Sequence, residues 1–347
     1  TNAITIDSNG NDFQNQADDY IVDYDTEGQG INIVFSGSTN GWIPNSDIAN
    51  AFDHGDPPTQ RGIFGYGTPG GDPGVLSMTN LVNSSGVIAT DVSGVGTARR
   101  YPAAASYGGD KAIFGYGEHN LSYYSMTNLV NNSGVVAADV TGVGTARVYL
   151  AAAEYGGDKA IFGYGYTGSN VSMTNLISNS GVAAADVTGV GTARYDLAAA
   201  GYGGDKAIFA YGNSGSRVSL KNLVNNSGVV SADVTGVGTA RDQMAAASYG
   251  GDKAIFGYGY TGSLVSLTNL VSNTGVVAAD VTGVGTARRW PAATSYGGDK
   301  AIFAYGHDGS FVSMSNLVSS SGVVASDVTG VGTVRRGLAA AGYSTSA

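Results

Sequence analysis

Ile63-Phe64-Gly65-Tyr66-Gly67 returns as Ile113-Phe114-Gly115-Tyr116-Gly117 and again from Ile161, Ile208, Ile255 and Ile302, reading IFGYG or IFAYG each time. The starts lie 50, 48, 47, 47 and 47 residues apart, so most of the chain is one unit written six times. Each unit carries four short pieces separated by turn residues. In one copy these are DLAAAGYGG from Asp196, KAIFAYG from Lys206, VSLKNLV from Val218 and GVVSADVTG from Gly228. Pieces rich in Val, Ile, Tyr, Phe and Thr, bounded by Gly-Gly-Asp and Asn-Asn-Ser-Gly, read as an antiparallel meander. A period of about 40 to 50 residues with four strands per unit predicts an all-β chain: a six-bladed β-propeller of four-stranded blades.

The first copy, RGIFGYG from Arg61, lacks the Ala-rich piece that precedes every other copy, and the chain ends with a spare one, LAAAGY from Leu338 to Tyr343. The spare strand is expected to complete the first blade and so close the ring across the chain ends; an open solenoid would need polar caps instead. Small side chains at Ala103, Ala151, Ala198, Ala245 and Ala339 suit strands that converge on a crowded axis.

Residues 1–52 read as a separate small β element, 53–60 as a linker and 61–347 as the propeller. YIVDYDTEGQGINIVF from Tyr20 to Phe35 alternates around Glu27 to Gly30 and predicts a hairpin. So short an element can bury only a small core, and is expected to pack on the propeller or to assemble with copies of itself.

A net charge of −10 argues against general binding to nucleic acid or an anionic membrane. No run of about 20 apolar residues predicts a spanning helix, and TNAITIDSNGND lacks the basic and apolar regions of a signal peptide. With no cysteine there is neither a disulfide framework nor thiol chemistry. Asp7 to Asp12 has the oxygen density of a calcium loop but lacks its glycine and closing Glu, so an Asn-Gly turn is the simpler reading. No metal and no cofactor are expected.

The Gly-Gly doublet of YGGD followed by AIFGYG resembles the kelch-like repeats of phage and marine viral proteins. TIDSNGN from Thr5 and FSGSTNGW from Phe35 look like the stalk and tip sequences of tailed-phage fibres. The resemblance implies a virion attachment or decoration protein, at the virion or extracellular surface, joined to other virion proteins through its N-terminal element.

Comparing the six copies separates scaffold from variation. The turn YGGDK recurs in five copies, and the turns NSSG, NNSG, SNSG, NNSG, SNTG and SSSG barely differ. The other two connections diverge. After the pentapeptide come TPGGDPGVL, EHNLSYY, YTGSN, NSGSR, YTGSL and HDGSF; after a repeated Arg come Arg100-Tyr101, Val148-Tyr149, Tyr195-Asp196, Asp242-Gln243, Arg289-Trp290 and Arg336-Gly337. In an up-and-down blade these two connections emerge on one side, and Tyr, Trp, Arg, Asn, Ser and Gly are paratope-like residues. The candidate ligand-binding residues are therefore Arg100, Tyr101, Tyr149, Tyr195, Asp196, Asp242, Gln243, Arg289, Trp290 and Arg336, with Tyr123, Tyr166, Arg217, Tyr260, His307 and Phe311. Closure would set the doublets Arg99-Arg100, Arg288-Arg289 and Arg335-Arg336 side by side as a basic sector for an anionic group on a cell-surface glycan or protein receptor.

The Arg, Asp and Asn that recur in every copy, such as Arg99, Asp139 and Asn128, read instead as blade-to-blade hydrogen bonding. A polysaccharide-degrading enzyme is the rival class, with Glu118-His119 and His307-Asp308 as a composite site. A ligand-free structural protein is the third.

Overall fold

The computed structural model describes residues 4–6, 22–24, 33–35, 42–44, 59–70 and 74–345. The chain divides into two compact units, Thr1–Pro57 and Pro58–Ala347. In the first, Ile4–Ile6 pairs antiparallel with Val22–Tyr24, and Ile33–Phe35 with Trp42–Pro44. The expected hairpin across Glu27 to Gly30 is thus corrected: its two strands pair with other segments. Alternation marks a strand without naming its partner. The calcium-like stretch Asp7 to Asp12 lies outside the described residues.

Among the described residues of the second unit, all regular structure is β. Six three-stranded antiparallel sheets follow one plan, and module 2 adds the short hairpin of Glu118–His119 with Ser122–Tyr123. In module 4, for example, Lys206–Ala210 is the middle strand, flanked by Ala198–Tyr202 and Lys221–Val224. In module 1 the flanking strands are Thr79–Val82 and the chain's last strand, Ala339–Thr345, which pairs with Thr59–Gly65 from Ala339↔Gly65 to Thr345↔Thr59. The first repeat is completed from the far end of the chain, as its missing piece predicts. Thr59 and Gln60 belong to this strand, so the expected linker 53–60 ends too late.

The fourth piece of each unit forms no continuous strand. In module 4 it meets its neighbour only at Val224↔Val230 and Lys221↔Val234, and between these the partners slip by one residue. The cause is Asn222. Its side-chain amide donates to Ser231 O at 3.0 Å and to Asp233 Oδ1 at 3.0 Å, occupying an acceptor the backbone ladder would have used. The expected four-stranded blade is a three-stranded sheet with a bulged fourth segment.

Period-two alternation explains the pentapeptide. Ile113 and Phe114 point to opposite faces of their sheet and are both fully buried: Ile113 packs with Phe162 of the next module, Phe114 with Ile63 of the previous one. A strand buried on both faces gains about 1.5–3 kcal/mol for each such side chain. Tyr66 and Gly67 then take φ of 67° and 100° and turn the chain out of the strand. A Cβ on Gly67 would stand 2.8 Å from Arg336 O, which that place cannot hold.

Each Tyr of the pentapeptide packs on the Phe of the following module. Tyr66–Phe114, Tyr116–Phe162, Tyr164–Phe209, Tyr211–Phe256, Tyr258–Phe303 and Tyr305–Phe64 all have centroids 5.2–5.4 Å apart. The Ala-rich strands follow the same neighbour order, Ala103–Tyr107 beside Ala151–Tyr155 and so on to Ala339–Thr345, which lies beside Ala103–Tyr107.

The recurrent polar residues join modules, as their repetition predicts. Arg99 lies 4.1 Å over the Tyr66 ring of its own module; its Nη2 donates to Asn128 Oδ1 at 2.7 Å and its Nε to Tyr116 O at 2.7 Å, both in the next. Asn128 Nδ2 donates in turn to Asp139 Oδ1 at 2.9 Å, and Thr97 Oγ1 donates to Asp139 Oδ2 at 2.6 Å. Fully buried guanidinium groups are tolerated because nearly every donor finds an acceptor. Among the described residues no helix is long and apolar enough to cross a membrane.

Candidate recognition face

Backbone bridges tie the two varied connections together in every module: Thr68↔Arg336, Arg100↔Glu118, Val148↔Tyr166, Tyr195↔Asn213, Asp242↔Tyr260 and Arg289↔His307. The diverging segments therefore lie side by side. At the other end of the Ala-rich strands sit the uniform turns, whose paired glycines, such as Gly108 (φ 64°) and Gly109 (φ 77°), both require the left-handed region.

The second residue of each varied pair is left-handed as well: Tyr101 (φ 53°), Tyr149 (57°), Asp196 (52°), Gln243 (59°), Trp290 (49°) and Gly337 (62°). This conformation costs roughly 1–2 kcal/mol at each non-glycine residue. It turns the six towards one another, where they line a cleft of about 90 Å³. Tyr101 N donates to Gly337 O at 2.6 Å, Asp196 N to Tyr149 O at 3.0 Å, Gln243 N to Asp196 O at 3.0 Å and Trp290 N to Gln243 O at 2.7 Å. Tyr101 and Asp196 are buried there, and Asp242, one position earlier, is buried too at 1% exposure. These three candidates build the face more than they present it.

The rings form a chain. Tyr123 meets Tyr166 (6.4 Å), Tyr166 meets Tyr195 (5.8 Å), Tyr195 meets Tyr149 (5.9 Å), Tyr149 meets Tyr101 (4.5 Å) and Tyr101 meets Trp290 (5.6 Å). Trp290 Nε1 donates to Asp196 Oδ1 at 3.3 Å. Arg289 and Arg336 each stand 4.5 Å from the Trp290 ring; Arg289 also faces Tyr260, and Arg336 faces Phe311, which packs edge-on against His307.

The basic sector is smaller than the doublets imply. Arg99, Arg288 and Arg335 are wholly buried between modules, so each doublet contributes one outward arginine. Arg100 is paired with Glu118 at 2.9 Å, and Arg217 with Asp242 at 3.2 Å. Glu118 is thereby engaged by an arginine that the composite acid–base site did not anticipate. Arg289 and Arg336 remain: among the described residues neither has a carboxylate within 4 Å, and the Nε of each is buried without an acceptor. Leu121, 80% exposed and left-handed (φ 60°) at the tip of the module 2 hairpin, is a further residue of this face that was not among the candidates, although EHNLSYY carries it on a diverging loop.

The electrostatics follow this geometry. Burial, aided by the charge of Asp242, pushes the Asp196 carboxyl up to about 7, against the hydrogen bond from Trp290. Burial and then the charges of Arg336 and Arg289 hold His307 below the usual imidazole range. The chain of rings thus ends at Trp290, with Arg289 and Arg336 stacked beside it. No protein-family model matches the chain, and no curated protein matches it.

Proposed function

We propose that Arg61–Ala347 is a six-bladed, kelch-like β-propeller that acts as a non-enzymatic recognition module, binding an acidic group of a cell-surface glycan or protein receptor through its varied face. The cyclic neighbour order of the Ala-rich strands and the seam between Thr59–Gly65 and Ala339–Thr345 support the propeller. Placement in a virion attachment apparatus rests on the sequence resemblance alone.

One observation carries the binding reading: two guanidinium groups, Arg289 and Arg336, lie 4.5 Å from the Trp290 ring with no described carboxylate within 4 Å of either, while Arg100 and Arg217 are ion-paired. Arginine presents planar paired donors that match carboxylate, sulfate and phosphate. The test is a screen of purified protein on whole cells and on an array of neutral, uronate-bearing and sulfated glycans. Acidic glycans are expected to bind, and Arg289→Ala with Arg336→Ala to weaken them by about 10–100-fold. Unchanged binding by that double variant would sink the reading.

A further inference from the structure

On the Ala-rich strands, the residues facing away from the inter-sheet cores include six equivalent positions: Ser106, Glu154, Gly201, Ser248, Ser295 and Gly342. Five are small; one is a glutamate. Glu154 lines a cavity of about 160 Å³ at the uniform-turn end, with Gln60, Lys206, Ser248 and Ser295 among its walls. At every junction between modules the recurrent Arg donates to the next module's Asn, yet Glu154 has no hydrogen-bond or ion-pair partner among the described residues.

The surroundings are short of a cation. Lys206, at the cavity wall, is tied to Asp205. Ser248 Oγ gives its proton to Gly201 O at 2.9 Å, which leaves its lone pairs to accept, and Ser295 Oγ accepts from Gln60 Nε2 at 3.1 Å. A deep-set carboxylate with acceptor oxygens beside it calls for a guest that only donates; an ammonium has three donors and no acceptor. A hard divalent metal would want several oxygen ligands and more than one carboxylate. The cavity far exceeds the space one water needs and has room for an ammonium and a short alkyl stem.

We propose that this cavity is a second binding site, separate from the varied face, in which Glu154 holds a primary alkylammonium group, on a free amine or on a lysine side chain. The carboxylate supplies the counter-charge and the serine hydroxyls accept the remaining N–H groups. The inference does not depend on the acidic-ligand reading.

Calorimetric titration of the whole chain at pH 8 with 1,4-diaminobutane, N-acetyl-lysine methylamide and, as a control, calcium chloride tests it. At least one amine is expected to bind one to one, and the stronger of the two identifies the source. Glu154→Gln should weaken that binding by about tenfold or more. Glu154→Ser, which installs the residue found at three equivalent positions, should do the same, whereas Arg289→Ala should leave it unchanged. Absence of amine binding, amine binding that survives both Glu154 variants, or calcium outcompeting the amine at equal concentration would each overturn the proposal.

Discussion

Arg335 Nη2 donates to Asn80 Oδ1 at 2.6 Å, although 255 residues of chain separate them. The contact reproduces the one between Arg194 and Asn222 at 2.8 Å, made between consecutive repeats. If the last module meets the first as any other pair meets, Arg335→Met and Arg194→Met lose the same interactions. Each is expected to cost about 3–5 kcal/mol in denaturant unfolding, because Asn, Tyr and Thr acceptors are left unpaired. An Arg335 variant much milder than its Arg194 counterpart would mean that the ends do not close.

Gly337 sits where the other modules carry Tyr101, Tyr149, Asp196, Gln243 and Trp290. A Cβ there would lie 2.6 Å from Tyr101 Cε1. Gly337→Ala must shift that ring besides adopting a left-handed φ, and a loss of about 1–3 kcal/mol is expected. Near-ultraviolet circular dichroism should change with it, since Tyr101 touches both Tyr149 and Trp290.

Two sets of carboxyls act on stability with opposite sign. Burial first, and the charge of Asp158 second, push Glu154 up to about 7 from an unfolded value of 4.5. Between those pH values the folded chain keeps a proton that the unfolded chain has lost, so stability falls as pH rises through this window and stays lower above it. Glu154→Gln should therefore raise the melting temperature at pH 8, by up to ~3 kcal/mol of stability, and leave it unchanged at pH 4. Asp91, Asp139 and their four equivalents behave in reverse: partial burial pulls them up, but hydrogen bonds from Thr and Asn and the nearby Arg outweigh it and hold them low. Their contribution is present above the unfolded Asp value and is lost on acidification. A calorimetric pH series should show its maximum on the mildly acid side of neutrality, moving upward in Glu154→Gln.

Binding has its own pH dependence. An anion seated between Arg289 and Arg336 offsets the two charges that hold His307 low, so its pKa rises on binding and a proton is taken up. Affinity should strengthen as pH falls through the imidazole range, and His307→Gln should flatten that slope. A wild-type affinity that is level from pH 5.5 to 7.5 would place the anion elsewhere.

Much of this was legible from residue order because the same local problem is solved six times. Ile63 beside Phe64, and a lone Ala-rich strand at the chain end, announce two-sided burial and the seam; Arg99, Asn128 and Asp139 recur because every junction needs them. What escaped lies where side chains choose partners across modules. That Arg100 spends its charge on Glu118 while Arg289 does not, that Asn222 displaces a backbone pair, and that Tyr101 turns inward on a left-handed φ are consequences of packing that no spacing records. Glu154 stands out only when the six Ala-rich strands are aligned, because the residue at its place in the other five is Ser or Gly.

The seam also decides how the unit bears load. The strand Thr59–Gly65 runs from the uniform-turn end towards the varied face, lying antiparallel to Ala339–Thr345 over its whole length. Tension entering at Thr59 and resisted by something gripped at the varied face acts along both strands, so the hydrogen bonds of the seam share it in shear and do not open one at a time. A pull on Thr345 away from the same sheet would peel them singly. The clasp is mechanically directional: it is strong in shear along its two strands and weak against peeling.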